Sequence, residues 1–544
     1  MGTRNINLIS KYESAFAEEN WNELFNLLNP KLFITPESEE LIAFPLLAKV
    51  AQILIIEDPI VPNNIKIACL KCLGNSCYNS YIHKNYASTN IEQATYHKLY
   101  SMLANNENLK EIQSSNSYPF DSHFPYEGVI EWASNFITSC KINSVLLDEK
   151  LEILRLCIQF LCNLFTCAYK DSSFPDCYNI PQYLYDTNLK GVIINITSLD
   201  HIQLVRASCI FIHNALKEFG EEVFTETEKT QIFSQLLKPI KDGFESAREA
   251  LMILLCQTKV LQSAYKNMTT ENKLFLLELI YNEVSKSTHK SKEEYVFTDD
   301  TVIFLIERFC RISDLILKTV DTYVGAYVDE IDPTEIVILH DILGILTSGS
   351  YKEYSILKGY KSLLVNCTYL LKSIQIIGKQ SHNYFTPLQK LSDVALAMQE
   401  ARNNEPETNS NSTKAKGNES ETNSAESNLQ SHPAFGFKAG LIRIIGNMSY
   451  RNKECQDLLR EMEAVPLLLD CCNIDARNPL IMQWTILALR NLCEDNPANQ
   501  EIIRNYTRVG VVENSVLQEM GVTLHEDEEG RKMGIVPLPR EEKS

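Results

Sequence analysis

A chain of 544 residues with a net charge of −19, 44% apolar and 22% charged residues is too long for one compact core, so it forms several domains or one elongated stack. The acidic balance, with no arginine-rich stripe, argues against a grip on phosphate backbones, which takes basic patches. Sixteen cysteines set among apolar helical patterns, with no secretory leader, read as reduced thiols acting as small hydrophobes.

The start, "MGTRNINLIS", lacks the charged and apolar regions of a leader, and Ile6 stands where N-myristoylation wants Ser or Thr. The first patterned helix reaches Asn75, with Leu70 and Leu73 five and two residues before it. The arrangement returns as Ile158 and Leu161 before Asn163, and more softly as Cys209 and Ile212 before Asn214. It returns again as Ile442 and Ile445 before Asn447, and as Ile486 and Leu489 before Asn491. At about 100° per residue the two aliphatic positions share one helix face, the expected core face. Asn75 and Asn163 lie 88 residues apart, so a degenerate repeat is expected between them, near "HKLYSMLA" at 97–104. Residues 151–169 are the most apolar, but Glu152, Arg155, Gln159 and Asn163 interrupt them, which predicts a core helix and not a membrane span. "SAREALMILLCQ" continues the series with Gln257 in place of Asn, and from 301 to 398 helical patterning persists while the signature blurs.

Residues 400–433 differ in kind. They are rich in Asn, Ser, Glu and Thr and show no helical period, the composition of a disordered polar insertion. The insertion divides N-terminal armadillo-like repeats at 1–399 from a C-terminal domain at 434–544. In that domain "LIRIIGNMSYRNKECQDLLREM" and "TILALRNLCEDNPANQEIIRNY" superpose at an offset of 44 residues, pairing Asn447 with Asn491, Asn452 with Asn496, Gln456 with Gln500 and Arg460 with Arg504. That period falls in the armadillo/HEAT range of about 40–47 residues. Asn496-Pro497 supplies a capping residue followed by a Pro at the first helical position. Beyond residue 506, Val522-Thr-Leu-His and Met533-Gly-Ile-Val flank a charged turn containing Gly530, which reads as a small β-hairpin acting as a terminal cap. The expected fold is all-α: an armadillo/HEAT-like right-handed α-solenoid with a disordered insertion and a small C-terminal cap.

On a helical wheel each Asn lies about 180° from its aliphatic pair. Lys71, Gln159, Ile210, Arg443 and Leu487 stand four residues before it, and Ala68, Leu156, Ala207, Gly440 and Trp484 seven before. Mixed polar and small residues there point to a partly exposed inner wall. The candidate partner-binding face is therefore Lys71, Asn75, Gln159, Asn163, Asn214, Arg443, Asn447, Trp484 and Asn491. Each Asn has two readings. It offers a donor and an acceptor to an extended ligand, or it bonds backbone of the adjacent repeat, which the need to satisfy a buried amide favours.

Chemistry has no counterpart signal. The chain contains no G-x-x-x-x-G-K-[ST], H-E-x-x-H or G-x-S-x-G. Cys69-x-x-Cys72 lacks the second pair a zinc site needs, and Cys471-Cys472 likewise. His201, Cys209 and His213 fall on neighbouring turns without a third partner of suitable chemistry. No catalytic residue, metal or cofactor is expected.

Some motifs exceed what the repeat requires: Gly-Phe-Lys-Ala at 436–439, Ile-Gly-Asn at 445–447, "VPLLLDCCNID" at 465–475, Asn478-Pro479, Trp484 and Arg-Asn-Leu at 490–492. With the ending "GVTLHEDEEGRKMGIV", they make about the last hundred residues resemble the C-terminal domain of the ataxin-10 family. The earlier residues resemble that family as helical repeats only. The resemblance implies a non-enzymatic armadillo-type scaffold, cytosolic and perinuclear, with centrosome and midbody as further locations. It implies roles in neuronal survival and neurite outgrowth through Ras–MAP kinase signalling, and in cytokinesis. The implied partners are a G-protein β subunit, O-GlcNAc transferase and cell-division kinases; the sequence leaves the oligomeric state open, a homo-oligomer included. The alternative is an armadillo-type regulator of G proteins, an exchange factor or chaperone. A nuclear-import receptor would place Trp four residues before each Asn, where this chain has Lys71, Gln159, Ile210, Arg443 and Leu487.

Overall fold

The computed structural model describes residues 3–34, 44–57, 60–82, 126–140, 148–169, 180–257, 259–286, 297–320, 331–348, 355–380, 383–389, 432–505, 522–526 and 533–537. They form two compact units, Met1–Lys266 and Asn267–Ser544. The expected degenerate repeat at 97–104 and the polar insertion at 400–431 lie outside the described residues.

The first unit is built from Thr3–Ala17 (α1), Trp21–Leu27 (α2), Phe44–Ile55 (α3), Asn63–Ile82 (α4), Glu127–Ser139 (α5), Asp148–Tyr169 (α6), Ile180–Asp186 (α7), Leu189–Ile196 (α8), Ile202–Phe219 (α9), Glu226–Gln235 (α10), Leu237–Lys241 (α11), Glu245–Gln257 (α12) and Leu261–Lys266 (α13). Helix α4 packs on α6, α6 on α9 and α9 on α12. This succession buries the aliphatic pairs of the signature: Leu70, Leu73, Ile158, Leu161, Cys209 and Ile212 are all sealed. Burying each large aliphatic side chain contributes about 1.5–3 kcal/mol. Local signals agree with the packing. Thr225 and Glu228 close a capping box at the start of α10, and Gly220 ends α9 at φ 79°.

The second unit contains Thr270–Lys286 (α14), Asp299–Ile312 (α15), Pro333–Leu346 (α16), Ser355–Gly359 (α17), Lys361–Gln380 (α18), Phe437–Ser449 (α19), Lys453–Glu461 (α20), Ala464–Leu469 (α21), Ile481–Cys493 (α22) and Pro497–Asn505 (α23). Helix α19 packs against α16, α18 and α22, so the two C-terminal repeats are built onto helices that precede the insertion. The 44-residue beat is visible in the backbone. Arg451 and Asp495 both adopt left-handed conformations, at φ 51° and 53°, one residue before the capping Asn452 and Asn496. Asn452 Oδ1 then accepts from Cys455 N, and Asn496 Oδ1 from Asn499 N.

Two expectations for this unit need comment. Ile442 and Ile445 are sealed, but Ile486 is 60% exposed and Leu489 is half-buried. The core-face reading therefore fails at the last copy. The hairpin does form: Val522–Glu526 (β1) and Met533–Pro537 (β2) pair antiparallel, with Val522 opposite Pro537 and Glu526 opposite Met533.

A clasp joins the strands of chain on either side of the insertion. Leu388 N donates to Asp475 Oδ1 at 3.1 Å, and Ala476 N to Leu388 O at 3.0 Å. Arg477 Nη1 reaches the carbonyls of Asn383 and Thr386 at 2.6 and 2.7 Å, and its guanidinium lies over Tyr384. The His432 ring stacks on the other partner of that cluster, 3.7 Å from the Tyr384 ring centre.

Candidate functional site

The signature asparagines bond backward, each to an earlier element of its unit. Asn163 Nδ2 on α6 donates to Gly74 O on α4 at 3.2 Å. Asn491 on α22 donates to Gly446 O on α19 at 2.9 Å. Asn447 reaches Gly344 O on α16 at 3.3 Å and Thr347 Oγ1 at 3.2 Å, and Asn75 reaches Pro30 O at 3.0 Å. Asn214 finds Cys162 Sγ and Thr166 Oγ1 on α6, both at 3.2 Å. Gly344 and Gly446 lie in the last turns of their helices, where carbonyls have no backbone N–H partner further along the helix. The amide NH2 groups thus tie each of these helices to an earlier element, as the reading by polar satisfaction expects.

Sequence reasoning missed a rung. Asn366 on α18 donates to Cys310 O on α15 at 3.5 Å, but Lys361 occupies the place five residues before it, where the signature wants an aliphatic. The last-turn carbonyl beneath it was the only signal, and it is a tertiary one. Conversely Gln257 does not extend the ladder: it is exposed and makes no hydrogen bond among the described residues.

The charged candidates divide by unit. Lys71 pairs with Glu152 at 3.5 Å, Glu152 with Arg155 at 2.7 Å, and Arg155 Nη1 donates to Gln159 Oε1 at 2.9 Å. The Arg155 hydrogen bond holds the Glu152 carboxyl below its ordinary range. On this face of the first unit both cations therefore have a carboxylate partner, Glu152. In the second unit Arg443 is half-buried, its guanidinium 5.2 Å from the Trp484 ring centre and against the backbone of Gly344. It has no ion pair or hydrogen bond to any described residue, and its Nε is sealed without a partner. Burial draws its proton affinity down, against the opposing charge of Asp341. Gly440 is small for a reason of packing: a Cβ there would run into the His340 ring, itself 4.6 Å from the Phe437 ring.

The remaining chemical candidates do not converge. His201 Nδ1 caps α9 by accepting from Leu204 N, Cys209 is sealed in the core, and His213 meets Glu249 at 3.2 Å. Burial pushes the Cys69 and Cys72 thiols well up, away from the thiolate that reactivity or metal binding needs. Among the described residues no group of three or more His, Cys, Asp or Glu is placed to hold a metal ion, and no helix is long and apolar enough to cross a membrane.

Residues 437–534 match a family described as the spinocerebellar ataxia type 10 protein domain. Ataxin-10 of Xenopus tropicalis is 32% identical over 273 residues, covering 50% of this chain and 48% of the relative. Ataxin-10 of Homo sapiens is 27% identical over 289 residues, 52% of this chain and 51% of the relative. The ataxin-10 homolog of Dictyostelium discoideum is 41% identical over 108 residues, 20% and 18% of the two chains. The match to this chain spans about half the length of the first two relatives. These similarities support the ataxin-10 family for the chain, and they run well beyond the hundred residues that carried the resemblance.

Proposed function

We propose, with the ataxin-10 relationship as premise, that this chain is a non-enzymatic scaffold that docks protein partners on the α19–α22 face through Arg443 and Trp484. The observation that carries this reading is the half-buried Arg443 guanidinium lying over Trp484 without an ion pair or hydrogen bond to any described residue. An Arg–aromatic pair is the kind of group that anchors protein interfaces. Partners drawn from neurite-outgrowth signalling and cytokinesis, and a cytosolic location, belong to the same proposal and rest on the family resemblance alone.

The test compares proteins co-purifying with the wild type, with Arg443→Ala/Trp484→Ala, and with Asn491→Ala. Specific loss of partners in the double variant, with its thermal midpoint and the Asn491→Ala partner list both kept, supports docking at this pair. An unchanged partner list in the double variant overturns it.

A further inference from the structure

Lys438 belongs to the Gly-Phe-Lys-Ala motif that the repeat pattern does not explain, and the structure sets it in a distinctive place. It is only 6% exposed, on the first turn of α19, and it lines a hollow of about 80 Å³ with Gln375, Lys379, Phe385, Asp470 and Asn473. Its ammonium has no ion pair or hydrogen bond to any described residue and is not sealed from the hollow. A buried ammonium without a counter-charge is costly, and native proteins compensate such groups with an anion or a dense set of acceptors. Neither is supplied by the neighbours. Gln375 uses both amide hydrogens on Leu467 O, at 3.2 Å, and Cys471 Sγ, at 2.8 Å. The Asp470 carboxylate is engaged by Lys379 at 2.5 Å, at the exposed rim.

We infer that this hollow is a binding site for a single oxyanion head group, a carboxylate or phosphate, held by Lys438 from below with Lys379 at its mouth. The volume decides the size of the ligand group. With a water's share of the liquid at about 30 Å³, the hollow takes two or three waters or one such head group. It is far smaller than the roughly 300–1,000 Å³ that encloses a whole small molecule. The remainder of the ligand therefore projects out past the Lys379–Asp470 pair. Charge balance agrees: two lysines against one aspartate leave room for one negative charge. The site lies apart from the Arg443–Trp484 pair and stands whether or not that pair docks a partner.

Calorimetric titration of the full chain with sodium phosphate, and separately with sodium acetate, in chloride buffer tests the site. The expected result is saturable millimolar binding of at least one anion, weakened at least tenfold in Lys438→Met, which keeps the buried stem and removes the charge. Lys379→Ala, at an exposed position, is the second variant, and it weakens binding severalfold even if Lys438→Met fails to fold. Phosphate binding alone identifies a phosphate-bearing ligand, and acetate alone a carboxylate. Absence of saturable heat with both anions, or binding indifferent to the variants (an adventitious ion only), overturns the inference.

Discussion

The two C-terminal copies, α19–α20 and α22–α23, share their pattern residue for residue at an offset of 44, yet they live in different surroundings. Contacts that look back toward the preceding helix are alike in both: Asn447 reaches Gly344 O and Asn491 reaches Gly446 O. Contacts that look forward are not. Gln456 gathers the carbonyls of Ser449, Asn491 and Glu494, the last two from the next copy. Gln500, its counterpart, meets only Cys493 O, within its own copy. Ile442 is sealed on α19, which α22 packs against, while Ile486 stands exposed on α22. In a stack of like units, then, a residue's energetic weight depends on the direction in which it points as much as on its identity.

Truncating the forward-facing aliphatic should show the largest contrast. Ile442→Ala is expected to cost about 2–5 kcal/mol, as buried large-to-small changes do, and Ile486→Ala less than about 0.5 kcal/mol, as exposed changes do. Urea unfolding measures both. Equal losses would mean that the outer face of α22 is covered in solution.

Acid should act on the knot from which both copies start. Gly436 N, at the head of α19, donates to Arg477 O in the loop leading to α22, beside the Tyr384–His432 stack. Burial, then the Arg477 charge, lowers the His432 pKa from 6.5 to about 4, and its Nδ1 accepts from Ala434 N as a neutral ring does. Because the folded value lies below the unfolded one, this contribution is complete above pH 6.5 and is lost as pH falls toward 4. Its size is on the order of 3 kcal/mol. His432→Gln should flatten that limb of a stability–pH curve. An unaltered limb would show that the ring is protonated in the fold at a higher pH.

Smaller effects sharpen the same contrast. Gln456→Ala leaves several buried carbonyls unpaired and should cost about 1–3 kcal/mol, against about 0.5–1.5 kcal/mol for Gln500→Ala. The backward-facing pair, Asn447→Ala and Asn491→Ala, should differ least, by under about 1 kcal/mol. If Asn491→Ala proved harmless in thermal unfolding while Asn447→Ala did not, the ladder would be forward-dependent too, and the directional account would fail.

Much of this was legible in order. The aliphatic pair before each Asn located α4, α6, α9, α19 and α22, and the paired caps Asn452 and Asn496 marked where α20 and α23 begin. The Asn366 rung was not legible, because Lys361 breaks the pattern while the acceptor at Cys310 is supplied by another helix. Nor was the lack of an ion pair at Arg443: Lys71 and Arg155, of the same charge on the same kind of helix, both pair with Glu152, and whether a carboxylate comes within reach across a helix interface leaves no local trace. Lys438 reads in sequence as an ordinary basic residue at a helix start. Its hollow is assembled from α18, the segment after it, α19 and the turn after α21.

By itself, then, the sequence determined the repeating unit: helical period, caps and an amide at the end of a helix are local properties, written within one stretch of 44 residues. The tertiary structure alone decided what each unit faces. Whether an isoleucine is core or rim, whether an arginine finds a carboxylate, and whether a lysine is buried beside a hollow depend on chain segments up to about a hundred residues away. Burial and counter-charge are properties of neighbours in space, and no local spacing encodes them.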